Sequence, residues 1–280
     1  MSRLEKTIMR LLSKTLRAAD KVIGSSESKR ASILDTIPDI NEFTHMEGTT
    51  DLCGKPFFFD MLNFRYSWLK WLVEKIVIQD CYLLGNIENS SPVVLDIGSH
   101  IGVFSRHVLS TKHNATVYAF EPDLESFSFL ERNLSFFEKG FAIQKGVLDN
   151  KSRMDFYKSP SGYGWRGMPA TEKQFSETKD SEGKDFAFKH TVELIDIDSF
   201  CRENGIEKID LIKIHVPGKT EYLVLEGAKN TIEKFHPQVG IKVFPENFER
   251  VKKHMTQLGY QELPNSDNGP PFLKLYVFEN

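Results

Sequence analysis

From residue 92 onward, continuous apolar runs alternate with amphipathic stretches. VVLDIG, ATVYAFEP, GFAIQKGVLD, KIDLIKIHV, QVGIKVF and FLKLYVFE have the length and density of buried strands. Between them VFSRHVLST, LESFSFLERNLSFF, EYLVLEGAKNTIEKF and NFERVKKHMTQLG repeat their apolar residues at helical spacing. A strand that is apolar at every position must be covered on both faces, and alternation with amphipathic helices is the pattern of a parallel sheet. Right-handed crossovers then give an α/β fold with a doubly wound, mostly parallel sheet, whose ligands bind at the carboxyl ends of the strands.

The regularity breaks in two places. Residues 151–198 form an insertion, in which RMDFYKS and TVELIDIDSF predict an antiparallel pair and PSGYGWRGMPATEKQFSETKDSEGKD a loop. A loop of that length in a compact domain is functional or disordered. Ahead of the alternating region, YSWLKWLVEKIVIQDCYLLGNI predicts a helix that caps the sheet, and residues 33–62 are irregular apart from a short strand in KPFFFDML. The start, SRLEKTIMRLLSKTLRAADKVIG, is an amphipathic helix carrying six cations (Arg3, Lys6, Arg10, Lys14, Arg17, Lys21) against Glu5 and Asp20. It either packs on the body or on a second copy in a homo-oligomer, or lies on an anionic membrane surface. The expected division is residues 1–85, an amphipathic helix, linker and helical cap, and residues 86–280, the α/β domain.

Composition narrows the classes without choosing among them. The net charge of −3 over 280 residues gives no polyanion-binding surface, and the catalytic half has no basic stripe with interleaved aromatics, so nucleic acid is not expected as a partner. Cys53, Cys81 and Cys201 are too scattered for a disulfide framework or a zinc ribbon, and no metal site is expected. No stretch approaches the roughly 20 apolar residues of a membrane span, and no signal peptide is expected from the pattern at the start. The expected location is cytoplasmic, free or peripheral to the inner face of a membrane.

The chemistry concentrates in VVLDIGSHIG, residues 93–102. Asp96, Gly98 and Gly102 form D-x-G-x-x-x-G between a strand and a helix. Gly98 permits a sharp turn and Gly102 a close approach of the helix, while Ser99 and its neighbours are expected to offer free backbone N–H groups. An acid in the first position repels a pyrophosphate but attracts an ammonium. S-adenosylmethionine carries an ammonium and a carboxylate, so the pattern suits it. Glu121 closes the second strand about 20 residues later, followed by Pro122, where an acid accepts hydrogen bonds from ribose hydroxyls; otherwise it is a helix cap. Asp149, past the third strand, is placed either to contact an adenine amino group or to form a turn with Asn150.

The blocks VVLDIGSHIGVFS, VYAFEPDLESFSFLERNL, VELIDIDSF and IDLIKIHVPGKTEYLVLEGAKNTI resemble, in order, the FkbM family of S-adenosylmethionine-dependent methyltransferases across roughly residues 90–260. The resemblance implies a Rossmann-like class I methyltransferase fold, seven strands with the last antiparallel, and O-methylation of a sugar or glycan-linked hydroxyl. It carries the cofactor positions onto Asp96, Gly98, Gly102 and Glu121, with His100 replacing a usual Asn. The family's K-I-D-V-E-G block reads here Lys213, Ile214, His215, Val216, Pro217, Gly218, with one extra residue before Glu221. The next strand, which ends in E-x-H in the family, ends in Lys242, Val243, Phe244.

Methyl transfer to a hydroxyl needs alignment and a base. His215 is placed at the end of the fourth strand to be that base, or it fills the place of a lost acid. Lys213 is expected to pair with Glu221 or to form a structural ion pair near the sheet end. Lys242 is a fixed cation suited to an anionic acceptor. In the insertion, Tyr163, Trp165 and Arg166 among flexible glycines suggest a cover for the acceptor. The leading function is therefore S-adenosylmethionine-dependent O-methylation of a small-molecule, glycan or lipid-linked hydroxyl. A non-catalytic cofactor-binding relative and a nicotinamide-dependent oxidoreductase are the alternatives.

Overall fold

A computed structural model describes residues 47–52, 55–60, 69, 71–158, 168–170, 187–216, 220–264 and 272–279. The basic N-terminal helix and the Tyr163, Trp165 and Arg166 cluster lie outside the described residues.

The chain opens with an antiparallel hairpin, β1 (Glu47–Leu52) and β2 (Lys55–Asp60). A helical segment ends in a π-helical stretch, Val73–Ile78. There follow β3 (Val93–Ile97), α1 (Val103–Thr111), β4 (Thr116–Phe120), α2 (Leu124–Leu134) and β5 (Gly140–Ile143). The insertion contributes β6 (Gly146–Val147), β7 (Ser152–Lys158), β8 (Met168–Ala170) and β9 (Ala187–Ile195). The chain then builds α3 (Ile197–Glu203), β10 (Leu211–Ile214), α4 (Glu221–Glu226), α5 (Lys229–Phe235), β11 (Gln238–Lys242), α6 (Phe248–Gln257), β12 (Tyr260–Glu262) and β13 (Leu273–Phe278).

Seven strands form the main sheet in the order β12-β13-β11-β10-β3-β4-β5. β3, β4, β5, β10 and β11 pair in parallel, and β13 runs antiparallel between β11 and β12. This is the doubly wound α/β sheet that the apolar runs predict. Its halves diverge on either side of the β3–β10 pair, so the carboxyl ends of those two strands mark the switch point where ligands bind.

Successive residues of the central strands enter two cores. Val94, Val117, Ala119 and Leu211 pack with Val103, Phe104, Val108 and Leu130 of α1 and α2. Leu95, Ile97, Phe120, Ile212 and Ile214 face Val224, Leu225, Ile232 and Val251 on the other side. The first core also contains Leu52, Phe57 and Phe59 of the hairpin and Leu72, Val73 and Ile76 of the helical segment. Fully buried Arg106 clasps this hairpin: its guanidinium donates to the carbonyls of Leu52 (2.6 Å), Lys55 (3.1 Å) and Asn133 (3.0 Å).

Several sequence expectations change. GFAIQKGVLD is not one strand. Its first half is β5 in the main sheet, and its second half, β6, pairs with β9 in a separate four-stranded sheet. RMDFYKS and TVELI do form the predicted antiparallel pair, β7 with β9. Within the expected loop, Met168–Ala170 adds a strand to that sheet. EYLVLEGAKNTIEKF is two helices, parted at Gly227, where a Cβ would overlap the Leu148 carbonyl. The predicted 66–87 helix stops at Ile78. Asp80 turns left-handed (φ 44°) and its carboxylate accepts the amides of Leu84 and Gly85, both at 2.8 Å, a local alternative to continued helix. The strands β1 and β12 have no sequence-level prediction.

Candidate functional site

The D-x-G-x-x-x-G turn joins β3 to α1 through three left-handed residues, Gly98 (φ 74°), His100 (φ 53°) and Gly102 (φ 89°). A side chain at Gly98 would overlap the His215 carbonyl. One at Gly102 would sit 2.8 Å from Leu130 Cδ1. Gly98 therefore lets the ends of β3 and β10 touch, and Gly102 lets α2 pack against the turn.

Hydrogen bonds fix the turn from below. The amides of Gly98 and Ser99 both donate to the Phe120 carbonyl at 3.0 Å, and that of Gly102 donates to the Ser99 carbonyl at 2.9 Å. Ser99 Oγ donates to the Asp96 carbonyl (2.6 Å). The expectation of free amides around Ser99 is thus corrected: those of Gly98, Ser99, His100 and Gly102 are in use within the protein.

Asp96 is fully buried, and both of its oxygens are engaged. Lys213 Nζ donates to Oδ1 (2.7 Å) and Ser105 Oγ to Oδ2 (2.6 Å). A second bond runs from Lys213 Nζ to the Gly98 carbonyl (2.7 Å). The acid's charge is answered by a buried ammonium, so Asp96 braces the turn and does not present an open charge to a ligand. Lys213 is likewise not the partner of Glu221; it forms the structural ion pair near the sheet end.

Glu121 stands at the tip of β4, 7% exposed. Its Oε2 accepts the His100 amide (2.8 Å) and its Oε1 the Asp123 amide (3.0 Å). Burial pushes its carboxyl up to about 7, against the pull of these two amides. Each oxygen keeps a second lone pair. The adjoining Pro122 carbonyl accepts a hydrogen bond from His190 Nε2 (3.1 Å), which ties β9 of the insertion to this strand end. Asp149 is exposed; its carboxylate accepts from Asn150 (2.8 Å) and takes no part in the hydrogen bonds around Asp96 and Glu121.

Across the switch point stand His215, Lys242 and Glu221. His215 follows β10, with its amide on the Ile97 carbonyl (2.9 Å) and its Nδ1 3.3 Å from the Tyr82 hydroxyl. Burial, then the ammonium groups of Lys242 and Lys213, hold its imidazole well below the ordinary histidine range. His215 is therefore neutral at pH 7, as expected, but a weaker base than a free histidine. Burial also lowers Lys242, while the nearby Glu221 carboxylate raises it. Glu221 is fully buried, and its Oε1 accepts the Phe244 amide (2.9 Å) and the Asn247 side chain (3.0 Å). Its Oε2 has no hydrogen-bond partner among the described residues.

The structure thus gathers Asp96, Gly98, Ser99, His100, Gly102, Glu121, Pro122, Lys213 and His215 around one strand-end cleft. Sequence reasoning missed Ser105, His190 and Tyr82. A signal existed for Tyr82: Gly240 interrupts the buried strand β11, and a glycine there marks a close neighbour. A side chain at Gly240 would lie 2.6 Å from the Tyr82 ring. Among the described residues, no group of His, Cys, Asp and Glu could hold a metal ion, and no helix is long and apolar enough to cross a membrane.

Comparisons with known proteins bear on the family. NoeI, a 2-O-methyltransferase of Sinorhizobium fredii, is 29% identical over 152 residues, 53% of this chain and 62% of that protein, so the match spans less than two thirds of the relative. The methyltransferase sdnD of Sordaria araneosa is 29% identical over 178 residues, 56% of this chain and 68% of that one. Among solved structures, an rRNA methylase from Streptococcus thermophilus covers 74% of this chain and 97% of its own at 15% identity and TM-score 0.42. The Methanococcus jannaschii fibrillarin pre-rRNA processing protein covers 85% and 84% at 13% identity and TM-score 0.43. The strand order, rather than overlaps of this size, carries the fold. Residues 96–262, more than half of the chain, match the methyltransferase FkbM domain, and the chain belongs to that family.

Proposed function

We propose that the protein is an S-adenosylmethionine-dependent methyltransferase acting on a hydroxyl of a sugar or of a glycan- or lipid-linked acceptor. The observation that carries this reading is Glu121. Its two oxygens, each anchored by one backbone amide and each with a lone pair to spare, suit the vicinal hydroxyls of a ribose. The left-handed turn at Gly98, His100 and Gly102 lies beside it. The residues present therefore fit the cofactor: Glu121 would hold the ribose, Pro122 and Asp149 would border the base, and the Gly98–Gly102 turn would face the amino-acid end.

The cofactor supplies a methyl group on a sulfonium, already bonded to an excellent leaving group. What remains for the protein is alignment and proton removal. His215 is the group proposed to take the acceptor's proton, since it is neutral and stands at the β10 end against the Gly98 turn. Lys242 is proposed to face an anionic part of the acceptor. NoeI is named as a 2-O-methyltransferase, which supports a hydroxyl acceptor. The N-terminal segment, with six cations against two acids, is proposed to hold the enzyme near a membrane-bound acceptor.

A second reading has a specific observation behind it. The family's acid-bearing block is His215-Val216-Pro217-Gly218 here, and two ammonium groups oppose a charge on His215. This suits a relative that binds the cofactor without transferring from it. Incubation with methyl-labelled S-adenosylmethionine and fractionated cellular glycans, lipids and small molecules separates the two. Label on a saccharide hydroxyl supports transfer. Calorimetric binding with no label in any fraction supports the second reading. No binding heat at millimolar cofactor, with the protein folded, overturns both.

A further inference from the structure

Tyr82 precedes the matched FkbM region, yet four independent features hold its hydroxyl against the proposed reaction centre. Its side chain is 1% exposed and stands edge-on to Phe104, with ring centroids 4.9 Å apart. Its ring occupies the notch that Gly240 leaves in β11. Its carbonyl accepts a 2.6 Å hydrogen bond from Gln238 Nε2. Its backbone lies in a tight turn with left-handed, non-glycine residues on both sides, Asp80 (φ 44°) and Leu83 (φ 52°). Left-handed backbone at a leucine is strained and persists only where the surroundings enforce it. All this places the Tyr82 hydroxyl 3.3 Å from His215 Nδ1.

The charged and titratable groups facing His215 are Tyr82, Lys213 from β10 and Lys242 from β11. An ammonium cannot accept a hydrogen bond, and Lys213 already donates to Asp96 and to the Gly98 carbonyl. The phenol oxygen can accept. If Nδ1–H donates to it, Nε2 keeps a free lone pair. If the phenol donates instead, Nε2 carries the ring proton and can take no other.

We propose that Tyr82 is a positioning residue for His215: its oxygen accepts the Nδ1–H bond, its own O–H is left for the ligand that completes the site, and the Nε2 lone pair is presented to the methyl acceptor. This rests on the reading of His215 as the base. As the acceptor oxygen gains the methyl, its proton passes to Nε2 and the C–S bonding pair stays on sulfur. The resulting imidazolium keeps Nδ1–H on the phenol oxygen until the Nε2 proton leaves to solvent.

The test uses the full chain labelled with ¹⁵N-histidine at pH 7.5, the His215 signal being identified by its loss in H215A. The expected result is a dominant Nδ1–H tautomer, which is not the default of a free imidazole. Tyr82→Phe keeps the ring in its notch and removes only the oxygen, so it shifts the population several-fold toward Nε2–H while the melting temperature holds. A wild-type Nε2–H tautomer, or no change in Y82F, overturns the proposal. On the acceptor fraction that the wild type labels, Y82F lowers kcat about 10- to 100-fold with the cofactor KM unchanged, the scale of a misaligned catalytic group. In an H215A background the same change has no further effect; a further loss overturns the link. Wild-type turnover by H215A removes His215 as the base, and the tautomer measurement then still decides whether Tyr82 orients the ring.

Discussion

The two sides of the switch point are built on different principles. On the β3–β4 side the carboxylates at the turn are answered by hydrogen bonds, although burial still raises Glu121. Asp96 has Lys213 and Ser105, Glu121 has two amides, and Phe120's carbonyl takes two more. On the β10–β11 side burial holds His215 and Lys242 below their ordinary ranges, and one Glu221 oxygen has no hydrogen-bond partner among the described residues. A satisfied network specifies one geometry before any ligand arrives. An under-satisfied one is left to be completed by what binds there. In the function proposed above, the first side is the cofactor half and the second the acceptor half.

The halves meet at Gly98 and Lys213, so the largest effects are expected there. Gly98→Ala would drive a methyl group into the His215 carbonyl in a left-handed backbone, and neither neighbour can yield cheaply. The expected cost is upwards of about 3 kcal/mol, together with loss of cofactor binding, read by denaturant unfolding and calorimetry. Wild-type stability in the Gly98→Ala variant would show that the strand ends do not touch.

Lys213→Met comes next. It strands the Asp96 carboxylate in a fully buried position, which costs about 3–5 kcal/mol where a buried pair loses one partner. Adding Asp96→Asn should restore part of the loss in denaturant titrations. No restoration would mean that Lys213 acts mainly through the Gly98 carbonyl.

A smaller, pH-dependent effect belongs to Glu121. Its folded-state carboxyl is raised from the ordinary value of 4.5 to about 7, so between those values the folded protein binds more protons than the unfolded chain. This group's contribution to stability is therefore complete below about pH 4.5 and falls as the pH rises to 7. His107 has the opposite sign: burial lowers it to about 4, and its neutral form favours the folded state increasingly from pH 4 to 6.5. Glu121→Gln should remove the falling component, so that the variant gains stability over the wild type as the pH goes from 5 to 7, by about 1–3 kcal/mol. Equal slopes in melting curves across that range would place Glu121 in a more solvated setting.

The smallest effect is expected at exposed Asp149, whose hydrogen bond is to its neighbour Asn150. Asp149→Ala should leave stability within about 0.5 kcal/mol. A calorimetric loss of cofactor affinity in that variant would extend the cofactor half to the insertion side.

The cofactor half was legible because its geometry is local. A left-handed turn demands glycine, and Glu121 follows at the distance that one strand–helix–strand unit imposes. The same locality misled about Asp96: its acid was visible, but not the lysine 117 residues away that neutralises it. Lys213 and His215 were both identified, whereas the pairing of Lys213 with Glu221 was one of two options, and three-dimensional proximity chose the other. Tyr82 left only an indirect trace, the glycine at position 240.

Apolar periodicity alone determined the parallel sheet, its coverage on both faces and the position of the glycine turn, because those depend on residues close in sequence and on burial averaged over whole segments. Tertiary structure decided which buried charge answers which, where EYLVLEGAKNTIEKF breaks, and that an aromatic residue from ahead of the matched region reaches His215. Those outcomes depend on single contacts between distant segments, where a shift of an ångström decides whether a hydrogen bond or a steric overlap results.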